Sequence, residues 1–115
     1  MTTLELDGTQ LTIEQVVDVA ISAPGDIQIS LTPQSMDRVN RAAAAVEHLL
    51  ATRQVVYGIT TGFGAFKDRI ISPENAAELQ RNIIISHAVG PGEIFDNPTT
   101  PSLMLNRYNT LARGH

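Results

Sequence analysis

Between Pro33 and Thr52, apolar residues recur at Met36, Val39, Ala43, Val46 and Leu50, in alternating steps of three and four positions. That repeat places all five side chains on one stripe of an α-helix, and it fits no other regular structure. The segment opens on Thr32-Pro33. The hydroxyl can accept from an orphan N–H group, and proline's fixed φ suits the first helical position. The same start signal recurs at Ser72-Pro73 and Thr100-Pro101. It predicts helices over about 33–52, 73–87 and 101–113. A shorter helix follows Thr12, where Gln15 completes a capping box and Ile13, Val16, Val17 and Ala20 form a stripe. The last helix is expected to bury Leu103, Met104, Leu105 and Leu111. The run Ile83-Ile84-Ile85 makes the third helix apolar around most of its circumference, so it calls for burial on several sides. Leu4-Glu5-Leu6 before the Asp7-Gly8 turn and the alternating Ile27, Ile29 and Leu31 read as short strands. The chain is expected to be mainly α, with short amino-terminal strands.

Composition narrows the function classes. The 115 residues suit one domain of ordinary size, and 43% hydrophobic with 17% charged residues is not the composition of a disordered chain. No apolar run approaches the ~20 residues that span a bilayer, and Met1-Thr2-Thr3-Leu4-Glu5 lacks the basic start of a signal peptide. A net charge of −4, with the eight basic residues spread along the chain, argues against a nucleic-acid surface. The absence of cysteine excludes disulfides and thiolate metal sites, and His48, His87 and His115 show no metal-ligand spacing. A cytoplasmic protein with no metal, membrane or nucleic-acid partner is expected.

One segment answers to no packing pattern. Tyr57-Gly58-Ile59-Thr60-Thr61-Gly62-Phe63-Gly64 crowds one phenol and three glycines into eight positions behind the apolar pair Val55-Val56. Glycine loses more conformational freedom on folding than any other residue, so such a run marks a loop with a mechanical or chemical task. A surface turn with an incidental tyrosine is the plain alternative.

The segment Val56–Gly64 resembles the signature loop of the aromatic amino acid lyases, the family of histidine, phenylalanine and tyrosine ammonia-lyases and related aminomutases. Two further words support this. Leu79-Gln80-Arg81-Asn82 through Ser86-His87-Ala88-Val89-Gly90-Pro91-Gly92 resembles the family's next block, and Asn106–His115 resembles the helix after it. The three words cover roughly the last half of the chain. The first 50 residues fit only loosely. The resemblance implies an all-helical lyase fold with a glycine-rich lid loop, of which residues 1–115 would be the amino-terminal portion.

It also implies a chemistry. An ammonia-lyase takes a proton from a barely acidic β-carbon, which requires a base at that carbon and an electrophile that activates the substrate. By resemblance Tyr57 is the base. A free phenol titrates near pH ~10, so its surroundings must favour the anion for it to act at neutral pH. Gly58, Gly62 and Gly64 would let the loop move over the site, and Gly64 would lie against the substrate. Phe63 would anchor the lid or simply fill a core. Ser86-His87 is the pair that faces the substrate side chain in the family, and Ser-His there resembles the histidine ammonia-lyases. A neutral imidazole offers one donor and one acceptor to a polar substrate. A histidine merely ending a helix is the plain alternative. Gln80 and Asn109 are given supporting hydrogen-bond roles.

The family's electrophile is 4-methylidene-imidazol-5-one (MIO), formed autocatalytically from Ala-Ser-Gly. No such triplet occurs in these 115 residues, so the chain alone is expected to form no MIO and to be inactive. The resemblance implies an L-histidine substrate, urocanate as product and a homotetramer with shared active sites. A tyrosine or phenylalanine lyase or aminomutase is the alternative within the family. A short, non-catalytic partner of a full-length homologue is the alternative from another class.

Overall fold

The computed structural model describes residues 2–115. They form β1 (Thr2–Leu6), α1 (Ile13–Ile21), β2 (Ile27–Leu31), α2 (Pro33–Ala51), α3 (Pro73–His87) and α4 (Thr99–Leu111). The chain is mainly α, as the sequence implies. It groups into two compact units, one of residues up to Ala42 with Glu93–His115, the other Ala43–Gly92.

In the first unit β1 and β2 pair in parallel, in register from Thr2↔Ile27 to Leu6↔Leu31. Parallel partners need a crossover, and α1 supplies it. The Thr12–Gln15 capping box is present. Thr12 Oγ1 accepts from the Gln15 N–H at 3.2 Å, and Gln15 Oε1 accepts from the Thr12 N–H at 2.9 Å. Leu6, Leu105 and Ala112 are buried, and Leu4, Leu11, Val16, Val19 and Leu31 pack against them. The expected α1 stripe is split: Val16 and Ala20 turn partly inward, while Ile13 and Val17 stay exposed.

Two corrections concern α4. It begins at Thr99 rather than near Pro101, because the Asp96 carboxylate accepts from the Thr99 N–H at 3.1 Å and starts the turn earlier. Pro101 then falls in the first turn, where a missing N–H costs nothing. Of the four α4 residues expected to be buried, only Leu105 is; Leu103, Met104 and Leu111 are each about half exposed.

Polar bonds close this unit where the apolar core is thin. The buried Ser35 hydroxyl donates to the Ala112 carbonyl, and Thr32 Oγ1 caps α2 by accepting from the Ser35 N–H at 3.2 Å. Arg38 donates to the carbonyls of Arg113 at 3.1 Å and Asp7 at 2.7 Å, and Asn109 Oδ1 accepts from the Gly8 N–H at 3.0 Å. Gly114 has φ +69°, and a Cβ there would lie 2.5 Å from the Arg38 carbonyl carbon. Ser35→Ala and Gly114→Ala should each destabilise the chain by about 1–3 kcal/mol, the first through an unpaired buried carbonyl and the second through backbone strain and overlap. Urea unfolding followed by circular dichroism reads both. An unchanged midpoint for Ser35→Ala would show that the Ala112 carbonyl has another donor.

Among the described residues, no helix is long and apolar enough to cross a membrane, and no group of three or more His, Asp or Glu could hold a metal ion.

Candidate functional site

The residues singled out by the sequence, Tyr57, Gly64, Ser86 and His87, all fall in the second unit. That unit takes the end of α2, the glycine-rich segment and α3. Past Ala51, Arg53 adopts φ 54°, and the Gln54 N–H donates to the Leu49 carbonyl at 3.1 Å, ending the helix sharply. The next residues curl into a tight turn, with the N–H groups of Ile59 and Thr60 both donating to the Val56 carbonyl at 3.1 and 3.0 Å. Tyr57 stands on the outside of that turn, 62% exposed.

Two contacts of the phenol come from the glycine-rich run. The Phe63 ring meets it edge-on, with centroids 5.5 Å apart and planes at 68°. The Gly64 N–H points at the Tyr57 oxygen at a long 3.4 Å. Gly58 makes the first contact possible: its φ is +75°, and a Cβ there would come within 3.0 Å of the Phe63 ring. Phe63 is 41% exposed, so it packs on the tyrosine rather than filling a core. Gly64 has φ +55° and open space where a side chain would stand.

Beyond Gly62 the segment closes on itself. Thr61 and Ile70 form an antiparallel bridge, the Gly62 N–H donates to Arg69 at 3.2 Å, and the Ile71 N–H donates to Thr60 at 2.8 Å. A short 3-10 turn, Gly64–Phe66, forms the tip, and the Arg69 guanidinium lies 5.1 Å from the Phe66 ring centre. The flap is thus held at its base by backbone bonds.

Helix α3 carries the other two candidate residues, Ser86 and His87. Ser72 precedes Pro73 as expected but makes no capping bond. The Glu74 carboxyl is held below its ordinary value chiefly by its own backbone N–H and then by Ser72. Ala76 is buried, and the Gln80 amide donates to the Gly58 carbonyl at 3.4 Å, one residue from Tyr57. With Val46 and Leu50 of α2, these residues line a depression of about 360 Å³ that Gly58 and Ile59 also border. His87 follows Gln80 by seven positions, which returns it to the same helical stripe about 10 Å along the axis. Its Nδ1 lies 2.8 Å from the Ile83 carbonyl, and the Ser86 hydroxyl donates to that same oxygen at 3.0 Å. A carbonyl only accepts, so in the neutral ring the hydrogen sits on Nδ1 and Nε2 is left as an acceptor. Ser86 and His87 are both exposed.

Tyr57 thus stands on a glycine-rich turn that Gln80 ties to a helix ending in Ser-His. The model of the family described as aromatic amino acid lyase matches residues 11–115. The chain belongs to the aromatic amino acid lyase family. It is 60% identical over 110 residues to the histidine ammonia-lyase of Chloroflexus aurantiacus, covering 96% of this chain and 21% of that one. An ergothionase from Treponema denticola has a similar structure, with a TM-score of 0.86 and 27% identity over 98% of this chain and 22% of that one. A tyrosine aminomutase from Streptomyces globisporus follows at 0.84 and 28%, over 99% and 21%. The chain spans about a fifth of the length of the curated relatives it matches.

Thr60 and Thr61 escaped the reading of the sequence. They are 2% and 0% exposed, although polar residues in a glycine-rich loop read as solvated. Their β-branched pairing between glycines was the only local sign.

Proposed function

We propose that this chain is the amino-terminal portion of a cytoplasmic histidine ammonia-lyase that converts L-histidine to urocanate and ammonia. The observation that carries the proposal is the 60% identity to a histidine ammonia-lyase over nearly the whole chain. The geometry supports it. Tyr57 is exposed and its oxygen makes only a long contact with the Gly64 N–H, so as the phenolate it can take a proton from the substrate's β-carbon. The electrons of that C–H bond become the Cα–Cβ double bond as the C–N bond breaks and ammonia leaves. Gly64 leaves space for the substrate beside the phenol. His87, with Ser86, meets the substrate side chain about two helical turns from the Tyr57 turn, where its Nε2 acceptor suits an imidazole N–H.

The residues present do not supply the electrophile. MIO forms from Ala-Ser-Gly, which these 115 residues do not contain. The exposed Ile84, Ile85, Val89 and Ile94, at 71%, 60%, 77% and 96%, support a chain that works within a larger body. We propose a homotetramer for the complete enzyme. The similarity to a tyrosine aminomutase favours a second reading, a tyrosine or phenylalanine lyase or aminomutase.

Assaying the complete lyase that contains this chain separates the two. L-Histidine should give urocanate, seen by its ultraviolet absorbance, with kcat/KM well above that for L-tyrosine or L-phenylalanine. Faster ammonia release from either of those, or formation of a β-amino acid, would establish the second reading instead.

A further inference from the structure

We infer that Thr60 and Thr61 are positioning residues for Tyr57, an inference that rests on the role proposed for that phenol. The two backbone amides flanking Tyr57 are each bonded to a threonine hydroxyl. The Val56 N–H donates to Thr60 Oγ1 at 2.8 Å, and the Gly58 N–H donates to Thr61 Oγ1 at 3.3 Å. Each hydroxyl in turn donates to a carbonyl, Thr60 to Gln54 at 2.5 Å and Thr61 to Gly62 at 3.0 Å. Tyr57 therefore sits on a turn fixed on both sides from within.

The burial pattern gives these bonds their meaning. The buried residues of the second unit are Thr60, Thr61, Gly62 and Ala76. Its best-shielded spot is thus two hydroxyls lying under an exposed tyrosine, not an apolar core. Apolar packing would stabilise a loop without fixing its geometry, since it has no directional preference. Hydrogen bonds in a shielded place fix both distance and angle. A base must be held to a fraction of an ångström of its working position, and a misplacement of ~1 Å can cost ~10²-fold in rate. The Ile71 N–H bond to the Thr60 carbonyl, at 2.8 Å, adds the root of the flap to the same platform.

Thr60→Val tests this, because valine keeps the shape and removes the hydroxyl, while Thr60→Ser keeps the hydroxyl. In the complete lyase, Thr60→Val should lower kcat about 10²-fold with KM for L-histidine within about twofold. Thr60→Ser should restore most of the loss. In the 115-residue chain, hydrogen exchange followed by nuclear magnetic resonance should show the Val56 amide opening at least about tenfold faster in Thr60→Val, with the Tyr57–Phe63 ring contact weakened. Unchanged kcat in a folded Thr60→Val enzyme would overturn the inference, as would a Thr60→Ser enzyme no better than Thr60→Val. A loss shared equally with a raised KM would point to general loosening and would also overturn it. If the wild-type enzyme releases no ammonia from any amino acid, the proposed function fails. The exchange measurement then still decides whether Thr60 fixes the Tyr57 turn.

Discussion

Tyr57→Phe in the complete lyase should lower turnover about 10²–10⁴-fold, the range set by removing a general base, while KM for the amino acid changes little. The substitution is unusually clean in this structure. The ring is kept, so the edge-on packing with Phe63 at 5.5 Å survives. The hydroxyl makes one long contact, from the Gly64 N–H at 3.4 Å, so its removal strands no strongly paired group. The turn beneath it is held by Thr60, Thr61 and backbone bonds, none of which uses the phenol. A fall in kcat therefore measures the missing proton acceptor and not a collapsed loop. Steady-state kinetics with L-histidine, and a far-ultraviolet spectrum matching the wild type, would settle the matter. Near wild-type kcat would place the base elsewhere.

The contrast between Tyr57 and its supporting threonines shows what a sequence can carry. Helix α3 has the bounds its start and stop signals predict, and α2 differs by one residue, because cap chemistry and helical period are local properties. The position of Tyr57 on a glycine-rich turn is local too. What is written elsewhere in the chain is not legible there. Asp96 takes the Thr99 N–H and moves the start of α4, and the Ser72 hydroxyl makes no capping bond to α3. Thr60 is buried because Gln54, Val56 and Ile71 close around it from both sides of the loop. Periodicity likewise shows that Leu103, Met104 and Leu111 lie on a helix, but not that their side chains stay half exposed. Burial depends on what packs against a face, and a stripe in one helix does not name its partner.

The purified 115-residue chain should release no ammonia from L-histidine, however well it folds. Elimination needs two groups acting on one substrate: a base at the β-carbon and an electrophile that weakens the C–N bond. The first is the role proposed for Tyr57, on a turn whose hydrogen bonds lie within the second unit. The chain carries no Ala-Ser-Gly from which the second could form. A β-proton with no neighbouring charge to delocalise into is far too weakly acidic for a phenol alone, so correct placement of the base does not rescue the reaction. Mixing in a protein that supplies the missing triplet should restore activity only if the two associate. Urocanate absorbance in a long incubation with high chain concentration gives the measurement. A signal above the buffer rate that Tyr57→Phe abolishes would mean that these 115 residues hold an electrophile of their own, and the two-group argument would fail.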